Sequence, residues 1–325
     1  MNALAPAARS PDLSLLALDE AAEIARLAAT IRTGVTQTLK RRGAVLGLSG
    51  GIDSTVTAAL CVAALGANRV VGVLMPECDS DPDSLRLGRA AAEALGIETV
   101  LEDIGPALDA AGCYQRRDAF IRATVPDYGP DWKCKIVLGD GAGGFAISYL
   151  VVESPTGERS QHRMSADAYR GIIAAANMKQ RTRKQLEYFH ADRLGYAVAG
   201  TPNRLEYDQG FFVKNGDGAA DFKPIAHLYK TQVYALAQHF DLPAEIRSRP
   251  PTTDTWSLPQ SQEEFYFSAP YQVMDVCLFA LENGLTAAIA AERAGLTEEQ
   301  VETVWRDIAA KRKATRYLHE APLLF

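Results

Sequence analysis

The stretch Ala44 to Val56, AVLGLSGGIDSTV, decides how the rest of the chain is read. Val45, Leu46 and Leu48 make a short apolar run of the kind a buried parallel strand uses, and Thr55 to Leu65 is an alanine- and leucine-rich helical pattern that stops near Gly66. Ser49, Gly50 and Gly51 form the turn between them. A glycine-rich turn that joins a strand's carboxyl end to a helix N-terminus presents backbone N–H groups and the positive end of the helix dipole, which favours phosphate. The hydroxyls of Ser49, Ser54 and Thr55 add donors. A bare SGG also suits an ordinary strand–helix turn, and Asp53 suits a plain helix cap. The string has neither the GK[ST] of a Walker loop nor the GxGxxG of a dinucleotide fold.

Outward from this turn, the 325 residues suffice for one large α/β domain with appendages or two modest ones. Hydrophobic residues make up 47% and charged residues 23%, as in soluble globular proteins, and no run approaches the roughly 18 apolar residues of a membrane span. The first twenty residues mix Arg9, Asp12, Asp19 and Glu20 among apolar ones and show no signal-peptide plan, so a cytoplasmic location is expected. The net charge of −6 argues against a nucleic-acid surface. Five cysteines without a CxxC pair are expected to be reduced thiols.

Strands and helices alternate around the turn. Asp19 to Arg42 reads as a helix, Arg69 to Pro76 as a strand, Pro82 to Leu95 as a helix, Ile97 to Asp103 as a strand and Gly195 to Gly200 as a fourth strand. This spacing predicts an α/β fold with a doubly wound, mostly parallel sheet. The loop Met75 to Pro82 emerges at the ligand-binding edge and is expected to contact adenine and ribose. Its acids Glu77, Asp79 and Asp81 read as helix caps and solvated charges rather than metal ligands. Residues 1–18 are expected to be a flexible segment, and 19–325 a single domain with an inserted antiparallel hairpin or small subdomain at about 114–164 and a helical region over 270–325. Ser165 to Phe189 reads as a helix studded with Asn177, Lys179, Arg181 and Arg183, which is either a solvated face or an anion site.

The full SGGIDS string resembles the SGGxDS loop of the N-type ATP pyrophosphatases, which cut ATP between its α and β phosphates. The net charge of −6 and the lack of paired cysteines weaken the tRNA thiolase branch of that superfamily. NMKQRTR, GTPNRLE, GFFVKNGDGAADFKPI, LYKTQV and PTTD follow in order, and together they are similar to the ammonia-dependent NAD synthetases over roughly residues 20–320, apart from the insert. The resemblance implies ATP binding by Gly47, Leu48, Ser49, Gly50, Gly51, Ile52, Asp53 and Ser54, with Thr201, Lys230 and Thr252. It implies a grip on deamido-NAD by Arg181, Lys214, Asp221 and Lys311, although Lys214 and Asp221 also suit a turn-stabilising pair. Asp53 and Glu206, each at the carboxyl end of a strand, are the expected Mg2+ ligands, and Asp53 and Lys230 the expected catalytic pair. The implied partners are ATP, deamido-NAD and ammonia, the last either free or supplied by a separate glutaminase, with a second copy of the chain completing a homodimer.

Three departures from the family pattern fall on the acyl-substrate side. Ala310-Lys311 stands where His-Lys is usual, the loop TWSLPQSQEEFYF lacks the usual acidic pair and carries extra aromatics, and the insert precedes the basic helix. Two other readings therefore stand beside NAD synthesis: the same adenylation and amidation on another carboxylate, and a catalytically silent nucleotide-binding regulator.

Overall fold

The computed structural model describes residues 9–140, 146–253, 255–267 and 269–325. Four strands, β1 (Ala44–Gly47), β2 (Val70–Leu74), β3 (Glu98–Leu101) and a later β7 (Ala197–Val198), form one parallel sheet in the order β3-β2-β1-β7. Alternation along β1 explains why its sequence is apolar throughout. Ala44 and Leu46 enter a core with helices α1 (Glu20–Thr33) and α2 (Ile52–Leu65), while Val45 turns to the opposite face, joining Val71, Val73 and Val198. The sheet is thus covered on both faces, as the strand–helix alternation predicts.

Helix α3 (Pro82–Leu95) begins with Asp81 accepting from the Asp83 N–H at 2.9 Å and a proline in its first turn, and it ends at Gly96 in the left-handed region. Short helices α4 (Gly105–Ala110) and α5 (Cys113–Arg122) lead to the inserted sheet. That sheet has three antiparallel strands, β4 (Lys133–Asp140), β5 (Ala146–Glu153) and β6 (Arg159–Arg163), so of the hairpin and the small subdomain expected here it is the latter, with α5 at its start. The turn expected around LGDGAGG lies largely outside the described residues. Cys134, Ile136, Leu150 and Val152 share one face of the insert and are buried against Ile121, Ile172 and Trp256.

Helix α6 (Ala166–Leu194) runs longer than expected, from a Ser165 cap to Gly195 at φ +66°. It packs against α5 and β1. After β7 come α7 (Arg204–Gln209), α8 (Lys230–His239) and α9 (Ala244–Ser248), then α10 (Tyr271–Glu282), α11 (Ala287–Ala294) and α12 (Glu298–His319). The last three enclose a second core around Met274, Val276 and Leu278. The segment expected to be flexible is partly built into that core: Leu13–Leu16 forms a 3-10 turn capped by Asp12, Leu16 is buried, and Asp12 pairs with Arg293 of α11. The leucine spacing accounts for this, since Leu16 gains a core by docking.

Candidate active site

The turn after β1 is shaped by contacts that exclude a side chain. Gly50 sits at φ +74°, and a Cβ there would stand 2.6 Å from Leu87 Cβ and 2.8 Å from both the Gly88 nitrogen and the Ser84 carbonyl oxygen of α3. Only glycine lets the turn press onto that helix. The hydroxyls close the turn internally: Ser54 Oγ donates to Gly51 O at 3.0 Å, Thr55 Oγ1 donates to the same oxygen at 2.8 Å, and Ser49 Oγ lies 3.2 Å from Ser54 Oγ.

Asp53 lies in the first turn of α2, where the dipole favours its charge. Its Oδ2 accepts from Lys230 Nζ, and its Oδ1 accepts from Asn203 Nδ2 at 3.1 Å. Lys230 opens α8 and is 2% exposed. It is held from behind by Asp275 of α10, which accepts from the N–H groups of Lys230 at 3.2 Å and Thr231 at 2.7 Å, and from the Thr231 hydroxyl at 2.7 Å. Burial works against the ammonium, yet Asp53 and Glu206 outweigh it and hold the Lys230 pKa above its ordinary value.

Glu206 is aimed by a capping box. Asn203 Oδ1 accepts from the Glu206 N–H at 3.2 Å, and Glu206 Oε2 accepts from the Asn203 N–H at 3.1 Å. Its other oxygen accepts from Gln262 Nε2 at 2.8 Å. Burial, and then the Asp53 charge, push its carboxyl up to about 7. Two carboxylates thus converge on one ammonium, leaving a site of oxygen donors with surplus negative charge. That donor set fits a hard divalent cation.

A continuous cleft of about 2090 Å³ opens from this cluster. Gly47, Leu48, Ser49, Gly51, Ile52, Asp53, Ser54, Thr201, Glu206, Lys230 and Thr252 line it, as do Arg181, Lys214 and Lys311 and, from the loop after β2, Met75, Pro76, Ser80 and Asp81. Arg181 Nε donates to the Lys214 carbonyl at 3.2 Å. Lys214 Nζ caps the end of α12 through Tyr317 O at 2.7 Å and Glu320 O at 3.0 Å. Lys311 Nζ donates to Tyr266 O at 2.7 Å and Asp307 at 2.5 Å, and burial lowers its pKa.

Three sequence expectations meet a different geometry. Asp221 is not among the cleft-lining residues: its carboxylate accepts from the Val198 N–H at 2.7 Å and the Tyr188 hydroxyl at 3.3 Å, which pins β7, and it makes no pair with Lys214. Gly50 is likewise turned to α3 rather than to the cleft. Lys179 is no solvated charge. It is 2% exposed and donates to Glu77 at 3.0 Å, Asp79 at 2.6 Å and the Thr255 carbonyl at 2.9 Å. Glu77 also accepts from Tyr114 at 2.9 Å and Asp79 from Arg117 at 2.5 Å, so these acids form an internal ion cluster in place of solvated caps. Sequence reasoning missed Asn203, Gln262 and Asp275. The Asn203-x-x-Glu206 spacing is a capping-box signal that marks the first; nothing local marks the other two.

The family model described as NAD synthase matches residues 23–123 and 150–317. The chain is 65% identical over 311 residues to the NH(3)-dependent NAD(+) synthetase of Rhizobium meliloti, covering 95% of this chain and 93% of that protein. It is 34% identical to the protein of the same name from Thermotoga maritima, covering 87% and 92%. Among solved structures, the NMN synthetase of Francisella tularensis shares the fold with a TM-score of 0.65 at 21% identity, covering 95% of this chain and 99% of that one. The loop, the capped carboxylate and the buried lysine thus sit in a chain that the family model matches on both sides of residues 124–149, and the chain belongs to the NAD synthase family.

Proposed function

We propose that the chain is an ATP-dependent ligase that converts deamido-NAD and ammonia to NAD, releasing AMP and pyrophosphate. The observation that carries this reading is the convergence of Asp53, Lys230 and Glu206 beside the anion-binding turn in one cleft. High identity to relatives named for this activity supports the substrate. The nicotinate carboxylate attacks the α-phosphorus, the bond to the β-phosphate oxygen breaks, and pyrophosphate leaves. Ammonia then attacks the acyl carbon, the bond to AMP breaks, and the nitrogen's surplus proton passes to solvent.

Each residue's part follows from charge and position. The turn Ser49 to Ser54, at the N-terminus of α2, faces the departing pyrophosphate. Lys230, rigidly held by Asp275, neutralises charge that grows on the leaving group, an effect larger in the transition state than in the ground state. Asp53 and Glu206 would hold Mg2+, whose chemistry is to neutralise phosphate charge. Thr201 and Thr252 border the ATP end of the cleft, and Arg181, Lys214 and Lys311 place positive charge where a dinucleotide's phosphates need it. The family resemblance supports a cytoplasmic homodimer, with exposed Phe189 on α6 as a candidate contact. Sedimentation tests the dimer.

The deciding experiment supplies purified protein with ATP, magnesium, ammonium and either deamido-NAD or nicotinate mononucleotide, and measures AMP and the amidated product. Equal amounts of AMP and NAD with the dinucleotide are expected. Turnover of the mononucleotide alone would assign another acyl substrate, and no AMP with either would overturn the reading.

A further inference from the structure

Residues 124–149 fall in the gap of the family match, and β4 lies wholly within it. The order β4-β5-β6 leaves β4 an edge strand, whose outer backbone groups need partners. The loop after the Pro250-Pro251 turn supplies them. Cys134 N–H donates to Ser257 Oγ at 2.8 Å, Leu258 N–H donates to Cys134 O at 3.2 Å, and Gln260 Nε2 donates to Ile136 O. Between these bonds Lys135 Nζ reaches Pro259 O at 3.1 Å and both oxygens of Glu264 at 3.2 and 3.0 Å. The Lys135 side chain is 15% exposed and that of Glu264 48%, so it is the multidentate geometry, with the Pro259 carbonyl as a third acceptor, rather than burial that fixes the contact.

The same loop carries Gln262, the donor to Glu206, whose own N–H is fixed by Pro251 O at 3.2 Å. Among its described residues the loop has one helical turn, Glu263–Phe267, and a bridge between Thr252 and Ser261, and the bonds from β4 tie its 257–264 stretch to the insert. Two departures from the family pattern, the insert and the altered loop, are therefore one device in space.

We propose that Lys135 is a positioning residue for the reaction: from the inserted strand it latches Glu264 and the 257–264 loop, and thereby holds Gln262 on Glu206. The site's chemistry as described under Proposed function is assumed; the latch itself stands on contacts independent of substrate.

The test compares Lys135→Met, Glu264→Gln and the charge-swapped Lys135→Glu/Glu264→Lys with the wild-type protein, by NAD-forming kinetics and by amide exchange in the free protein. Each single variant should lower kcat roughly tenfold, the scale of a small misplacement of a reacting group, with KM for ATP within about twofold. Exchange at Leu258 and Gln262 should accelerate while α2 stays protected, and the swap should recover both readouts. Unchanged exchange, or faster exchange with unchanged kcat, would overturn the proposal. So would a swap that recovers neither readout. A wild-type protein that makes no NAD counts instead against the function reading, and the exchange comparison still decides whether the latch holds the loop.

Discussion

Asp53 and Lys230 are each other's counter-charge, so neither can be neutralised without leaving the other unpaired. Asp53→Asn keeps the shape that accepts from Asn203 but leaves the buried ammonium without its nearest negative partner. Pyrophosphate release should fall by roughly 100-fold or more, measured in a coupled assay at saturating ATP. Glu206 gives a signed pH effect. Below its ordinary value of 4.5 it is protonated in folded and unfolded chains alike; between there and about 7 only the unfolded chain releases the proton. Stability is therefore lost as pH rises through that window. Glu206→Gln removes the loss, so in metal-free buffer the variant should gain on the wild-type protein by on the order of 2–3 kcal/mol between pH 5 and pH 8, read from denaturant melts. At Gly50, an alanine would meet α3 and force a left-handed backbone, and Gly50→Ala should cost about 2–4 kcal/mol in the same melts.

At the scale of elements, helix α6 is fastened to two loops by a single buried cation. Lys179 holds Glu77 and Asp79 from the loop after β2 and the Thr255 carbonyl from the loop that follows the Pro250-Pro251 turn. Removing it leaves two acids in a poorly solvated place, with Arg117 still on Asp79 but Glu77 reduced to its tyrosine hydroxyl, neighbouring thiol and backbone contacts. Lys179→Met should destabilise by about 3–5 kcal/mol. Because both loops border the cleft, the same variant should raise KM for ATP, whereas a purely remote defect would leave KM unchanged; a urea titration and a KM measurement on one preparation separate the two. Helices α7 and α12 are joined in a similar way by Arg312, which meets both oxygens of Asp208 at 2.9 and 3.1 Å through Nε.

Across the whole molecule, among the described residues, the three largest cores lie on one face of the doubly wound sheet, within the C-terminal helices, and between the inserted sheet, α5 and α6. All five cysteines are free thiols, four are buried, and Cys78 alone is exposed. Alkylation of the native protein should therefore add one label, seen as a single mass increment, and full labelling should require denaturant. No described helix is long and apolar enough to cross a membrane. The parallel sheet, the glycine turn after β1 and the placement of Asp53 and Glu206 at strand ends were legible in the chain because they rest on short-range signals: apolar runs, glycine turns and helix-start residues within a few positions of one another. The basic run of α6 shows where such signals end, since spacing puts Lys179 and Arg181 on one helix but does not say that Lys179 is buried among acids while Arg181 faces the cleft. Asp221 shows the same limit, since spacing does not say that its carboxylate accepts from a strand 23 residues earlier. The amino-acid sequence by itself determined the fold class, the glycine turn between β1 and α2, and the family; the tertiary structure alone decided which charge neutralises which. A buried charge is paired by whatever the helices and loops bring within a few ångströms, and Lys230 meets Asp53 across 177 positions of chain.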